Sequence, residues 1–222
     1  MSPLRFRTAC DVLRMLGPGR FALEIPPWVL RRQYVFYTVD PGDVPQTTGH
    51  DNGFALTLLS EEDLPAVVAV RPDTYTLAQL RARLRAGHLA FAVRRRDEIV
   101  SVRWIFVDSV YLPYLSRRLV LAPGEGFLDE LYTMPRWRRK GAVTAAGQQI
   151  YGILHRRGFH RISCAIAAWN HLPQRLAEEI GYARVGRGGY WAVAGYRKYY
   201  WEGGLEERRR RDLVIHGPKE SP

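Results

Sequence analysis

Asp129-Glu130-Leu131-Tyr132-Thr133-Met134-Pro135-Arg136-Trp137-Arg138-Arg139-Lys140-Gly141-Ala142-Val143 is the stretch on which the reading of this chain turns. An apolar, β-branched and aromatic run ends at Pro135, which has no N–H to give to a ladder and so closes a strand. A basic turn holding one glycine follows, and then helix-forming residues begin. The first turn of a helix leaves several backbone N–H groups without partners, and these donors together with the helix dipole attract an anion, usually a phosphate. Gly141 lets a ligand come close to the backbone, while Arg138, Arg139 and Lys140 place positive charge at the same point. A basic turn ahead of a helix is more often merely solvated, so the turn needs its surroundings before it means anything.

Those surroundings alternate. Strands are expected at 54–59, 89–94 and 99–107, a hairpin over 110–121, and a strand over 127–133. Helices are expected at the Ser60 cap, with Asp63 three residues on, over 76–86, and over 143–157 with Gly158 as the stop. A strand at 162–168, a short helix over 171–180 ended by Gly181, and strands at 183–186 and 190–196 complete the set. The pattern predicts an α/β (α+β) fold, a mixed sheet with helices on both faces. Residues 34–39 look like a further strand inside an N-terminal appendage, 1–47. The main domain is placed at 48–202, and 203–222, with its run of arginines from Arg208 to Arg211, reads as a basic mobile tail.

The second motif lies at the right distance from the first. After the strand at 162–168 come Asn170, Leu176, Ile180 and the pair Gly181-Tyr182. With Tyr132-Thr133-Met134-Pro135-x-x-Arg138-x-x-Gly141, this resembles the GNAT superfamily of acetyltransferases over roughly residues 54–200. The resemblance implies a mostly antiparallel central sheet and acetyl-CoA or another acyl-CoA as cosubstrate. Its pyrophosphate would lie on the loop amides of Arg138, Arg139, Lys140, Gly141, Ala142 and Val143. A bulge would splay the strand carrying Thr133 from the one carrying Ile166, so that the pantetheine arm enters along Tyr132 and Thr133, with Asn170 beside it. Family members often carry a general base on the first of these strands; Glu130 is the first choice and Asp129 the second, each weighed against a carboxylate merely paired with an arginine. Strand alternation would send the two to opposite faces.

Two positions depart from the family pattern. Val143 stands where a second loop glycine or alanine is usual, and Ala177 where a tyrosine often serves as general acid. The leaving thiolate would then have to take its proton from water or from another residue, such as Tyr182 or Tyr132. These departures keep a non-catalytic binding scaffold open as an alternative.

Composition narrows the partners less. The chain of 222 residues carries a formal charge of +11, and only Lys140, Lys198 and Lys219 of its 33 basic residues are lysine. Such a field favours an anionic ligand without choosing among a phosphorylated cosubstrate, an acidic carrier protein and nucleic acid. A small-molecule acceptor is expected, with an acyl carrier protein as the alternative acyl donor and no specific nucleic acid. The rings and cations between Tyr190 and Trp201 suit single-strand stacking, but fit the last two strands better. No apolar run reaches the length of a membrane span, the two cysteines form no disulfide framework, and the histidines have no metal-ligand spacing. A cytoplasmic protein without a metal is the expectation.

Overall fold

The computed structural model describes residues 31–45, 53–138, 142–193, 196–208 and 212–216, excluding the side chains of 142–148, 193 and 196. Among the described residues twelve strands and four α-helices follow one another as β1 (Arg31–Val39), β2 (Ala55–Leu58), α1 (Leu64–Val70), α2 (Leu77–Arg85), β3 (Leu89–Arg95), β4 (Glu98–Phe106), β5 (Ser109–Leu112), β6 (Arg117–Val120), β7 (Glu125–Thr133), α3 (Ala142–Arg156), β8 (Arg161–Ala167), α4 (His171–Ile180), β9 (Ala183–Val193), β10 (Tyr196–Gly203), β11 (Leu205–Arg208) and β12 (Asp212–Ile215). Eight strands form the main sheet in the order β10-β9-β1-β8-β7-β4-β3-β2, and β11-β12-β6-β5 form a small second sheet. Every pairing in the main sheet is antiparallel except β7 with β8, the two strands joined through α3. Mixed sheet and flanking helices agree with the expected class.

Local chemistry sets the helix ends. The Ser60 N–H donates to Asp63 Oδ2 at 2.8 Å ahead of α1. Thr76 and Gln79 cap α2 reciprocally, Gln79 N–H to Thr76 Oγ1 at 3.2 Å and Thr76 N–H to Gln79 Oε1 at 3.0 Å. Gly181, in the left-handed conformation at φ 105°, ends α4.

Two cores lie on opposite faces of the main sheet. One gathers Trp104, Phe106 and Phe127 with Leu64 and Leu80 of the first two helices and with Leu112, Leu119 and Leu213 of the small sheet. The other packs Tyr37, Ile105 and Ile162 beneath Ile150, Leu154 and Ala177 of α3 and α4. Burying a large apolar side chain in either stabilises by ~1.5–3 kcal/mol.

Three expectations are corrected here. The strand expected within an appendage, now β1, lies in the interior of the main sheet, antiparallel to both β8 and β9. Its residues 35–39 are all buried, with Phe36 in one core and Val35, Tyr37 and Val39 in the other. A run with no polar alternation marks a strand covered on both sides, so this segment belongs to the domain rather than preceding it. The second correction concerns 183–196, which is not two strands broken at its glycines but the single strand β9 as far as Val193. Gly189 is required by close approach: a Cβ there would collide with the Arg32 carbonyl of β1, and one at Gly188 would strike the Trp201 ring. Third, the described part of the C-terminal segment forms the strands β11 and β12. Leu205, Leu213 and Ile215 are buried, and β12 runs parallel to β6. The charges around Arg208 hid a short alternating strand; Arg209 to Arg211 lie outside the described residues.

Candidate active site

The parallel ladder between β7 and β8 ends at Leu128 opposite Cys164, although β7 runs on to Thr133 and β8 to Ala167. The cause lies on the other side of β7. Tyr132 pairs with Val102 and Asp129 with Trp104, so Glu130 and Leu131 together face the single residue Arg103. This is a β-bulge, which bends its strand and sharpens its twist. Glu130 sits in it at φ 54°, a conformation a non-glycine residue adopts at a cost of ~1–2 kcal/mol. Three donors hold it there. Arg83 of α2 reaches its carboxylate with both terminal nitrogens, at 2.6 and 2.9 Å, and the Tyr75 hydroxyl donates at 2.9 Å.

The bulge overturns the expectation that Asp129 and Glu130 point to opposite faces. A left-handed residue interrupts the pleat, so both carboxylates lie on the side of α1 and α2. Glu130 meets Tyr75 and Arg83 there, and Asp129 interacts electrostatically with Arg83, Tyr34 and Tyr114. Their circumstances differ. Glu130 is an ion-paired carboxylate whose oxygens are occupied. Asp129 is half-buried; burial, reinforced by the neighbouring Glu130 charge, pushes its carboxyl up to about 6 against the pull of the Glu130 N–H, which donates to Oδ1 at 2.8 Å, and of Arg83.

Aromatic rings wall this site. Tyr34 of β1 and Tyr114, from the turn between β5 and β6, stack with centroids 4.5 Å apart. The Tyr114 hydroxyl is buried with no hydrogen-bond partner, and burial together with the Asp129 charge raises its pKa well above the ordinary phenol value. Farther along, the Arg71 guanidinium lies 4.5 Å from the Tyr132 ring centroid and 5.5 Å from that of Tyr75. Sequence reasoning missed Tyr34, Tyr75, Arg71 and Arg83, and singled out Tyr114 only as part of the 110–121 hairpin. Only the hairpin carrying Tyr114 had a signal, as an insertion between recognisable strands; the others are ordinary in sequence and meet only through the fold.

On the opposite face the turn after β7 is anchored to the β3–β4 hairpin. The Trp137 Nε1–H donates to Glu98 Oε1 at 3.0 Å, and its ring lies edge-on to Phe54 and beneath Arg95. Arg136 pairs with Glu98, whereas Arg138 is exposed and donates from Nε to the Thr133 carbonyl at 3.2 Å. The Thr133 hydroxyl lies 3.1 Å from Ser101 Oγ. Ala142 and Val143 open the 15-residue helix α3; Arg139, Lys140 and Gly141 lie outside the described residues. Asn170 stands at the start of α4, its N–H bonded to the Ala167 carbonyl at 2.9 Å and its side chain uncommitted to capping. The strand pair thus parts beyond Leu128 and Cys164, with α3 following β7 in the chain and α4 following β8.

Other candidates resolve into structure. Tyr182 is buried against α3, its hydroxyl 2.9 Å from that of Tyr151, and the Tyr132 ring lies against Arg71 on the α1 side of the sheet. Cys164 is a buried thiol pushed up to about 12 by burial. Tyr190 is buried and Tyr199 packs against the same core, with Arg117 and Arg197 stacked on them. Among the described residues there is no metal-ligating cluster and no helix long and apolar enough to cross a membrane.

The fold and this split strand pair define a class. Residues 55–182, more than half of the chain, match the model of the acetyltransferase (GNAT) family, and the chain belongs to that family of acyl-transferring enzymes. A GCN5-related N-acetyltransferase from Sphaerobacter thermophilus superposes with a TM-score of 0.52 at 15% identity, over 76% of this chain and 54% of its own. A protein from Drosophila gives 0.50 at 20% identity, over 75% and 52%. The chain thus spans about half the length of these structures, and at such identities the likeness shows the fold. No curated protein matches the sequence.

Proposed function

We propose that the protein moves an acetyl or longer acyl group from acyl-CoA to an amine or hydroxyl of a small-molecule acceptor by direct attack, with Asp129 as general base. The observation that carries the reading is the setting of Asp129. It is the residue at which β7 leaves β8, and it is a half-buried carboxyl raised to about 6 beside an aromatic wall. A base in that range takes a proton from an ammonium near neutral pH and returns it to solvent afterwards. The freed nitrogen then attacks the thioester carbon, the C–N bond forms, the C–S bond breaks, and the proton that nitrogen loses in becoming an amide passes, by way of water, to the leaving thiolate. Glu130, expected first from sequence, is the weaker candidate because Arg83 and Tyr75 already occupy its oxygens. It serves better as the brace of the bulge.

On this reading the turn 138–143 and the start of α3 hold the pyrophosphate, Tyr132 and Thr133 flank the pantetheine arm, and Asn170 lies on its other side. The decisive experiment is a thermal-shift series with acetyl-, butyryl- and decanoyl-CoA, because a ligand bound only to the folded state raises stability by mass action. Gly141→Asp should abolish the shift by placing a carboxylate against the pyrophosphate. A wild-type protein that responds to none of the three, and acylates no amine, would leave the scaffold reading in place of the enzyme.

A further inference from the structure

The acceptor side of the site carries a cation that no carboxylate among the described residues pairs. Arg71 follows α1 directly, and its backbone is fixed on both sides: its N–H donates to the Val68 carbonyl at 3.0 Å, and its own carbonyl accepts from Thr74 and Tyr75 at 3.0 and 3.2 Å. The side chain is half-buried, its guanidinium against the rings of Tyr132 and Tyr75. Ring contact occupies the faces of a guanidinium but leaves its in-plane N–H donors, a fork that matches a carboxylate. Arg83 shows what such a fork does nearby, taking both oxygens of Glu130. Among the described residues no carboxylate does the same for Arg71. A half-buried guanidinium held in place by two rings and a fixed backbone is an anion receptor prepared in advance.

Its place gives the receptor a purpose. Tyr132 pairs with Val102 and Asp129 with Trp104, and both of those β4 residues belong to the core facing α1 and α2, so Arg71 and Asp129 share one side of the sheet. Between them stands the Glu130–Arg83–Tyr75 cluster, already satisfied. A molecule lying along this wall meets at one end a carboxylate that accepts only the Glu130 N–H among the described residues, and at the other a guanidinium that no described carboxylate pairs. We propose that the acceptor is an amine that also carries a carboxylate, its nitrogen delivered to Asp129 and its anion gripped by Arg71. The inference rests on the acyl-transfer reading above and narrows it to amino acids and related amino-carboxylates.

Matched pairs of acceptors test it: α-amino acids and their carboxamides, and ω-amino acids of increasing length with theirs, each assayed with acetyl-CoA. The wild type should favour the carboxylate members by about tenfold or more in kcat/KM, the usual effect of a charge-assisted bidentate contact. Arg71→Gln should lower kcat/KM for the carboxylates by about 10- to 100-fold, through KM, and leave the carboxamides within about threefold. Arg71→Lys should recover part of the loss, and acetyl-CoA affinity should not change in either variant. Equal use of carboxylate and carboxamide by the wild type, or equal loss on both by Arg71→Gln, overturns the proposal. Calorimetric binding of the same pairs separates this failure from that of the enzyme reading. Carboxylate binding lost in Arg71→Gln, without any product formed, would sink acyl transfer and keep the anion subsite; no preference in binding would sink the subsite whether or not acetyl transfer occurs.

Discussion

Replacing Asp129 by asparagine should make the protein more stable and less active at once, and the two effects have one physical origin. Burial lifts this carboxyl from its ordinary 3.8 to about 6 in the folded chain. Below both values folded and unfolded chains are equally protonated at this position, and it costs nothing. Between them the folded chain keeps a proton that the unfolded chain has released, so stability falls as pH rises through that window and stays lowered above about 6. The rise corresponds to ~3 kcal/mol at neutral pH, an upper figure because water can reorganise around a half-buried group. Asparagine keeps the shape and the acceptor for the Glu130 N–H but has no charge to desolvate. Urea unfolding of both proteins from about pH 4 to pH 8 should give similar midpoints at the acid end and an advantage for Asp129→Asn of ~1–3 kcal/mol at the neutral end. Its turnover should fall by about 10²–10⁴-fold, and the acid limb of kcat/KM near pH 6 should vanish with it. A stability difference that is flat with pH, or that favours the wild type at neutral pH, would refute the burial argument. An Asp129→Asn enzyme with unchanged turnover would refute its role as base.

Glu130→Gln should cost ~1–3 kcal/mol, because Arg83 loses its charged partner in a partly buried place. If Glu130 is a brace, kcat falls while the acid limb survives; loss of the limb in this variant would return the base to Glu130. Tyr114→Phe should raise stability by ~1 kcal/mol, since it removes a buried hydroxyl without a partner, and a lower melting temperature would show that the hydroxyl is satisfied in solution. Gly189→Ala should cost ~3 kcal/mol by forcing β9 away from the Arg32 carbonyl, and a melting temperature within a degree or so of wild type would mean that β1 is not held as described.

Legibility followed the range of the interactions. The helix ends were readable because Ser60 with Asp63, Thr76 with Gln79, and Gly181 each act within a few residues. The hairpin of β3 and β4 was readable because its strands adjoin in sequence. The place of β1 was not. Its apolar run said only that both faces are covered, while its partners lie more than a hundred residues away at 162–167 and 183–191. The glycines at 186, 188 and 189 misled for the same reason. In sequence a glycine suggests a turn, whereas here each is needed because another strand or ring comes too close for a Cβ.

The candidate site shows the same division and explains why the family pattern located it without describing it. The pattern marks β7 and the turn into α3, which the proposed reading gives to the cosubstrate, and these are continuous in sequence. The acceptor wall is assembled from four separate segments: Tyr34 from β1, Arg71 and Tyr75 before α2, Arg83 within it, and Tyr114 beyond β5. Tyr34 lies outside the 55–182 match altogether, on a strand the match does not include. The bulge joins the two halves. By placing Glu130 in a left-handed conformation it opens β7 from β8 on one edge and turns Asp129 and Glu130 together toward the acceptor wall. Arg83 and Tyr75 offset the strain of that conformation, and in doing so they occupy Glu130 and leave Asp129 as the free carboxylate. On the proposed reading a single backbone irregularity therefore sets both where the thioester enters and which carboxylate remains to receive the acceptor's proton.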